Sequence, residues 1–411
     1  MNLKFSFLLL LLILIGCESD DSEYELVTVA VPQVVSKAEL RKQVAVKVPE
    51  PTGETGKFYF YQDYIFVNEI KKGIHIIDNS NPEAPKKTAF INIPGNIDMA
   101  VKDDILYADS FTDLLTFDLT DMQTIKLVDE LNNVLSSDSY PWPEITQHIG
   151  AYDFDDYDFD DDVIVGWEYR TEVRKKIVHD ILMFDALNAT YSRAEVAQVG
   201  TGGSMARFKI VGELLYALDT YKINVFQIER QVKKINEAPV YAPIETIFNE
   251  GDYLYIGSSD GMYIYSIVNP ELPQYVSQIN HVFGCDPVVV AGDYAYLTLR
   301  GGNRCGQDLS MLEVIDVSDK ANPTVVDIYD MEGPYGLGIR GNLLYVSDGE
   351  HGLHIYDKQD PEDLKLLKIK TDLNIFDVIP LQKSLLTIGD NRLRQFKYLE
   401  SDLELISDFQ L

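Results

Sequence analysis

Short runs of alternating apolar and polar residues fill the chain from residue 57 to residue 411, and turns containing Gly, Asp or Asn-Pro separate them. Residues 253–256 and 261–265 form one pair of such runs, and residues 343–346 and 352–356 form another. Alternation of this kind, enriched in Tyr, Val and Ile, is typical of β-strands. No helical period competes with it, so the pattern predicts an all-β body.

The paired runs belong to a unit that recurs along the chain. One central residue marks each copy: Phe66, Tyr107, Val165, Tyr216, Tyr255, Tyr296, Tyr345 and Thr387. The spacing of roughly 44 residues suits a four-stranded antiparallel sheet, the blade of a β-propeller. One such sheet cannot bury both faces, so neighbouring copies must stack around an axis. We predict a single β-propeller of eight blades, with seven as the alternative because the last copy, residues 384–411, matches least well.

The amino-terminal segment follows a different pattern. Lys4 precedes an apolar run, residues 5–15, which is shorter than the roughly 20 residues that span a bilayer. Residues 1–16 are therefore predicted to be a signal peptide. The sequence Leu14-Ile15-Gly16-Cys17 resembles the lipobox of bacterial lipoproteins, which implies cleavage before Cys17 and lipidation of its sulfur. An ordinary signal peptide with an incidental cysteine is the alternative.

Residues 18–23, Glu-Ser-Asp-Asp-Ser-Glu, resemble the acidic export signal of Bacteroidota lipoproteins. The resemblance implies a lipid-anchored protein of the outer membrane that is displayed on the cell surface, and a plain solvated linker is the alternative. Residues 17–56 contain three prolines and no clear period, which indicates a tether with one helical turn near residues 37–42. Residues 57–411 would then form the propeller domain.

The charge balance limits the partners. Lys and Arg number 35 against 66 Asp and Glu, a net charge of -31. Because nucleic acids and anionic membranes attract basic surfaces, we expect no nucleic-acid partner and membrane contact only through the lipid anchor. A hydrophobic content of 46% exceeds that of acidic disordered chains, so a folded monomer is expected.

Two cysteines remain after Cys17, namely Cys285 and Cys305. An even pair in an exported protein, at this separation, suits a disulfide between a strand and a loop. Two metal-binding thiols are the alternative, although the neighbourhood lacks the His or further Cys that would complete a tetrahedral site.

Several copies of the repeat share a phrase. It reads Leu312-Glu313-Val314-Ile315-Asp316-Val317-Ser318 before Asn322-Pro323, and Gly73-Ile74-His75-Ile76-Ile77-Asp78 before Asn81-Pro82. This phrase resembles the LVIVD repeat, and the stretches at residues 93–110 and 285–290 resemble LVIVD-repeat β-propeller lipoproteins of Bacteroidota. The resemblance implies a propeller and an exported lipoprotein. It brings no established enzymatic activity, so no catalytic residue is carried over.

Candidate metal chemistry is limited to acidic clusters. Residues 153–162 hold seven Asp, a composition that calcium can use, but the run lacks the glycine and the closing Glu of an EF-hand loop. A solvated loop is the preferred interpretation. His351 with Asp348 and Glu350 forms a second acidic group, whereas His75 and His354 share a repeat position and are expected to be ordinary strand residues. No cofactor is expected apart from possible calcium.

Long insertions indicate where a ligand binds. In a propeller, the loop between the second and third strands and the crossover to the next blade lie on one face. Residues 131–162, 167–180 and 299–311 are long segments of these two kinds. They carry the candidate ligand-binding residues Trp142, Trp167, Tyr169, Arg170, Arg300, Asn303 and Arg304. Aromatic rings beside Arg and Asn suit a glycan or protein ligand, and packing of the aromatics on their own loops is the alternative.

These features predict a surface-exposed binding or scaffolding module. The alternative is a polysaccharide-active hydrolase or lyase that uses acidic residues near the axis. A deep axial pocket with converging carboxylates would favour the enzyme, and a shallow aromatic rim would favour binding.

Overall fold

The computed structural model describes residues 24–136, 149–175, 201–202, 204–228, 231–280, 287–301, 309–400 and 402–411. Strands dominate this part of the chain, and one short helix accompanies them. No helix within these ranges has the length and apolar character needed to cross a membrane.

The chain enters the described region through β1 (Tyr24–Ser36), α1 (Lys37–Arg41) and β2 (Ala45–Lys47). Blade 1 follows, with β3 (Thr55–Tyr61), β4 (Tyr64–Glu69), β5 (Gly73–Asp78) and β6 (Lys86–Asn92). Blade 2 contains β7 (Met99–Lys102), β8 (Ile105–Ser110), β9 (Asp113–Asp118) and β10 (Lys126–Leu131). Three further strands precede blade 3, namely β11 (Ile149–Tyr152), β12 (Asp162–Lys175) and β13 (Thr201–Gly202).

The remaining blades repeat the same antiparallel plan. Blade 3 contains β14 (Phe208–Val211), β15 (Leu214–Leu218), β16 (Lys222–Gln227) and β17 (Lys233–Pro239), and blade 4 contains β18 (Ile244–Glu250), β19 (Tyr253–Ser258), β20 (Gly261–Ser266) and β21 (Gln274–Asn280). Blade 5 contains β22 (Val288–Ala291), β23 (Tyr294–Leu299), β24 (Met311–Asp316) and β25 (Thr324–Asp330). Blade 6 contains β26 (Leu337–Arg340), β27 (Leu343–Ser347), β28 (Leu353–Asp357) and β29 (Lys365–Lys370), and blade 7 contains β30 (Asp377–Pro380), β31 (Ser384–Gly389), β32 (Arg392–Tyr398) and β33 (Leu403–Gln410).

The prediction of an all-β propeller with four-stranded antiparallel blades is confirmed. Eight sheets are described, and seven of them form the ring. The inner strands of consecutive blades contact each other from blade 1 to blade 7, including β7 with β14, and blade 7 packs against blade 1. The ring therefore follows the seven-blade alternative. The copy centred on Val165 forms the eighth sheet, in which β1 lies between β11 and β12. We call this three-stranded sheet the insert sheet.

Pairing with a distant strand explains why that copy is not a blade. β12 pairs with β1 along its whole length, so its residues are not available for a meander of four consecutive strands. Val165 is 45% exposed, whereas the other seven central residues are buried on the second strands of their blades. Residues 24–47, expected to belong to a tether, thus contribute to folded structure. The expected helical turn is present as α1, and Ser36 caps it by accepting a hydrogen bond from the Glu39 N–H.

Residues 204–207, here called the axial segment, lie at the centre of the ring. The Ser204 Oγ accepts a hydrogen bond from the Leu337 N–H of blade 6, and the Ala206 carbonyl accepts one from the Ile247 N–H of blade 4 at 2.6 Å. Next to this segment, β13 pairs with β3 on the inner edge of blade 1. The axial segment is therefore held by more than one blade of the ring.

Buried charges surround the axial segment. The Lys57 ammonium lies 2.8 Å from the Asp98 carboxylate, and both side chains are almost fully buried. The Asp98 carboxylate also accepts from the backbone N–H groups of Arg207 and Phe208. On the blade 7 side, burial raises the pKa of Asp377 to about 8, and its Oδ2 makes no hydrogen bond within the described residues. We call Lys57, Asp98 and Asp377 the axial charge cluster.

Glycines allow the third strand of a blade to start close to the fourth. Gly261 has φ +147°, and a Cβ at this position would overlap the carbonyl oxygen of Ile279 on the neighbouring strand. Gly251 in the same blade has φ +54°, but no atom outside its immediate neighbours lies within 4 Å of the position that a Cβ would occupy. We predict that Gly261→Ala lowers the free energy of unfolding by at least about 2 kcal/mol more than Gly251→Ala, since both pay backbone strain but only Gly261→Ala creates a backbone clash. Urea unfolding measures the difference, and equal losses would contradict the clash.

The protonation of Asp377 predicts a pH-dependent stability. Its pKa of about 8 in the folded chain exceeds the roughly 4 of an unfolded Asp, so the stabilisation that it provides is complete below pH 4 and is lost as the pH rises to 8. Asp377→Asn mimics the neutral carboxyl group. The variant should therefore gain stability relative to wild type progressively from pH 5 to pH 8, as urea unfolding at each pH would show. The matched control is Asp372→Asn, at an exposed position. A difference from wild type that is independent of pH would refute the assignment.

Candidate functional site

The candidate ligand-binding residues fall into three groups. Trp167, Tyr169 and Arg170 lie on β12, although the sequence predicted a hairpin loop beginning at Trp167. Arg300 follows β23, at a different place on the ring. Trp142, Asn303 and Arg304 lie outside the described residues, as do Cys17, Cys285 and Cys305. The proposed lipidation and disulfide thus stay predictions.

The two faces of the insert sheet differ in character. Opposite residues of paired strands share a face, and Trp167 lies opposite Pro32, Tyr169 opposite Ala30 and Val173 opposite Leu26. One face therefore carries an aromatic and aliphatic set, here called the aromatic face: Tyr24, Leu26, Tyr152, Trp167, Tyr169 and Val173. Arg170, one position from Tyr169 on the strand, points to the other face.

Charged residues follow the second face. The Arg170 guanidinium pairs with the carboxylates of Glu172 and Asp153, and the Arg174 guanidinium lies 3.0 Å from Glu172. Hydrogen bonds from Arg174 and Arg170 lower the pKa of Glu172. Because strand side chains alternate, the predicted combination of Tyr169 with Arg170 in one site does not form.

Aromatic rings continue from the insert sheet into the acidic loop. The Trp167 ring meets Tyr152 and Phe154 edge-on, with centroids 5.7 and 5.8 Å away. Phe154 contacts Phe159, and the Tyr157 and Phe159 rings lie 4.5 Å apart. Phe159 ends this row with 70% of its surface exposed. The exposed Phe159 ring is therefore held in place by the aromatic rings packed beneath it.

A cleft of about 610 Å³ opens beside Phe159, and we call it the rim cleft. Its lining combines blade 2 with the amino-terminal segment and the acidic loop: Lys37, Thr112, Asn133, Leu135, Ser136, Phe159 and Asp160. Thr112 connects the second and third strands of blade 2, and residues 133–136 begin the crossover, so these are the two kinds of loop expected to share a face. Five of the lining residues lie in the segment 131–162, one of the three insertions expected to carry a ligand site, while Trp167, Tyr169 and Arg300 do not line the cleft.

Hydrogen bonds hold the cleft walls in place. The Asp113 carboxylate accepts from the Asn133 N–H at 2.8 Å and from the Arg41 guanidinium at 2.7 and 3.0 Å. Asn133 adopts φ +57°, a strained conformation for a residue other than glycine. Its Oδ1 accepts from the Thr112 hydroxyl at 3.3 Å, which leaves its Nδ2 as a donor for a ligand. On the opposite wall, the Lys37 ammonium donates to the Asp160 carbonyl at 2.7 Å.

None of these seven residues was predicted individually as a ligand contact. Lys37 was assigned to a tether, and Phe159 and Asp160 to a solvated acidic loop. A detectable signal was the recurrence of aromatic residues between the aspartates, at positions 152, 154, 157 and 159. The aspartates themselves largely terminate turns, since the Asp153 and Asp158 carboxylates accept from the N–H groups of Asp155 and Asp160.

The other candidate groups have local partners. Within the described ranges, no cluster of three or more His, Cys, Asp or Glu side chains has metal-binding geometry. His75 lies on β5 with its Nε2 2.9 Å from the Glu69 carboxylate, and burial lowers the pKa of its imidazole. The Arg300 guanidinium stacks on the Tyr335 ring at 4.0 Å.

The axis is the place where the enzyme alternative required an open pocket. The axial charge cluster brings two carboxylates and an ammonium to the centre, but each of these side chains is buried. Asp98 is engaged by Lys57 and by two backbone N–H groups. The rim cleft, in contrast, combines polar groups with the exposed ring of Phe159.

Comparison with solved structures identifies similar folds. A putative 6-phosphogluconolactonase from Bacteroides fragilis has a TM-score of 0.55 at 11% identity, covering 87% of this chain and 94% of that one. A putative 6-phosphogluconolactonase from Bacteroides uniformis has a TM-score of 0.52 at 12% identity, covering 85% and 94%. The computationally designed protein Ika8 has a TM-score of 0.51 at 9% identity, covering 88% and 89%. Identities this low show the fold alone.

Two segments of the sequence match a known repeat family. Residues 52–88 and 285–331 match the LVIVD repeat model. These segments fall on blade 1 and blade 5. A search of curated proteins gives no significant match. The propeller fold and the LVIVD repeats in blades 1 and 5 together support a general binding or scaffolding module.

Proposed function

We propose that the protein is a lipid-anchored module on the cell surface that binds a glycan in the rim cleft. The observation that carries this proposal is the exposed Phe159 ring beside a polar cleft. Sugar rings present C–H faces that pack on aromatic rings and hydroxyl groups that need hydrogen-bond partners. The rim cleft provides both an aromatic ring and polar groups that form hydrogen bonds.

The lining favours a glycan over a protein ligand. Thr112, Asn133 and Ser136 are neutral polar residues, and the Lys37 ammonium is engaged by the backbone carbonyl of Asp160. The cleft volume of about 610 Å³ falls within the roughly 300–1,000 Å³ of small-ligand pockets. A protein partner would instead need a contact area of about 800 Å² per side.

The cleft is also preformed, which supports a binding role. Its walls come from a blade of the ring, from α1 and from the acidic loop, and the Arg41–Asp113 ion pair joins the first two. Asp219 of blade 3 accepts from the N–H and the hydroxyl of Ser136. A pocket fixed by such contacts loses little entropy when it binds a ligand.

Phe159→Ala should weaken glycan binding roughly two- to tenfold, because aromatic stacking contributes about 0.5–1.5 kcal/mol. A glycan array identifies the ligand, and calorimetry with that glycan measures the change. Tyr241→Ala is the matched control, since Tyr241 is an exposed aromatic on the crossover between blades 3 and 4. Unchanged affinity of Phe159→Ala for every bound glycan would refute the site. Shortening of a bound glycan during incubation would instead reveal a hydrolase or lyase.

The anchor has its own test. Cys17→Ser removes the thiol that would be lipidated, so we expect the variant to leave the membrane fraction of the producing bacterium while the wild type stays in it. Protease added to intact cells should degrade the wild-type protein. Membrane retention of Cys17→Ser would contradict lipidation at this residue, and protection of the wild type from protease would contradict surface display.

A further inference from the structure

The aromatic face of the insert sheet is most exposed at one end. Leu26 is 75% exposed, Val173 opposite to it is 67% exposed, and Tyr24 at the start of β1 is 54% exposed. We call these three residues the tip patch. Along the same strands toward the ring, Ala30 is buried opposite Tyr169. Apolar side chains are therefore more exposed at this end of the sheet than near Ala30.

The tip patch is also the part of the fold that lies nearest to Cys17 along the chain. Only residues 18–23 separate Cys17 from Tyr24. Even fully extended, this connection spans at most about 25 Å. If Cys17 carries the lipid, as the proposed function assumes, the tip patch cannot move farther than this from the membrane surface.

We propose that the tip patch contacts the phospholipid bilayer in which Cys17 is anchored. Tyr24, Leu26 and Val173 lie at the boundary between the headgroups and the acyl chains. Tyrosine favours this level because it combines an apolar ring with a polar hydroxyl group. This inference rests on the lipidation in the proposed function and adds a second, non-covalent contact to it.

Charge argues that this contact is apolar. With a net charge of -31, the protein is repelled by anionic headgroups rather than attracted to them. The guanidinium groups of Arg170 and Arg174 lie on the opposite face of the sheet and pair with Glu172. The bilayer surface that fits the tip patch is therefore zwitterionic, and the contact is insensitive to salt.

The geometry also gives the insert sheet a role in positioning the rim cleft relative to the bilayer. β12 runs from Asp162, next to the rim cleft, to Lys175, opposite Tyr24. A strand of this length spans about 40 Å. With its tip at the bilayer, the sheet holds the rim cleft at a distance from the lipid and fixes its direction, whereas a flexible tether would do neither.

The test uses full-length lipidated protein in vesicles of zwitterionic phosphatidylcholine whose acyl chains are brominated, because bromine quenches tryptophan fluorescence at close range. The background variant carries Trp142→Phe and Trp167→Phe, which removes both native tryptophans. A single probe is then placed in the tip patch as Leu26→Trp. The matched control probe is Leu367→Trp on the outer strand of blade 6, where Leu367 is also exposed.

We expect a blue-shifted, quenched probe at position 26 and an unquenched probe at position 367, with quenching unchanged between low and high salt. Equal fluorescence at both positions, in protein that floats with the vesicles, would overturn bilayer contact while leaving lipidation intact. Failure to float would overturn the anchor and this inference together. A blue-shifted but unquenched probe at position 26, with doubled mass after cross-linking, would assign the patch to a second copy of the chain. Val173→Trp on the opposite strand repeats the measurement if Leu26→Trp does not fold.

Discussion

The structure depends on the contact between the first and last blades of the ring. Phe58, Ile65 and Val67 of blade 1 pack against Ile379 and Leu386 of blade 7. Apolar packing of this kind has no preferred direction, so it needs a second constraint to fix the register. The buried amides of Asn79 and Gln395 supply it by exchanging hydrogen bonds across the same interface. If this interface opened, the ring would no longer be closed, and blades 1 and 7 would each expose an apolar face that a neighbouring blade now covers.

A closed ring gives insertions a rigid base. The axial segment packs against the inner strands of the ring. The amino-terminal segment attaches to its outer side through the Arg41–Asp113 ion pair and the pairing of β2 with β6. The rim cleft forms where the amino-terminal segment and the acidic loop meet blade 2. Its walls are joined by contacts between parts of the chain that are far apart in sequence, which is why positive φ angles are tolerated at Phe111 and Asn133 in the loops that form it.

Regular repetition made the blades predictable, and irregular pairing made the site unpredictable. Seven of the eight central residues identified from alternation are buried on second strands, because a stacked sheet requires apolar side chains at those positions. Val165 satisfies the same alternation but lies on β12. Alternation of apolar and polar residues indicates that a segment is extended, but it does not indicate which strand pairs with it. The partner of β12 is β1, more than a hundred residues earlier, in a segment whose prolines favoured a tether.

By itself, the sequence determined what depends on local order: strands, turns, the blade unit and the acidic balance of charge. It also located the loop segments around blade 2 that line the rim cleft. Tertiary structure alone decided that seven copies close the ring, that Tyr169 and Arg170 point to opposite faces, and that Lys37 donates a hydrogen bond to the Asp160 carbonyl on one wall of the cleft. These outcomes follow from competition among many possible strand partners. The free energy of burying apolar surface in the whole molecule settles that competition, and no local pattern contains it.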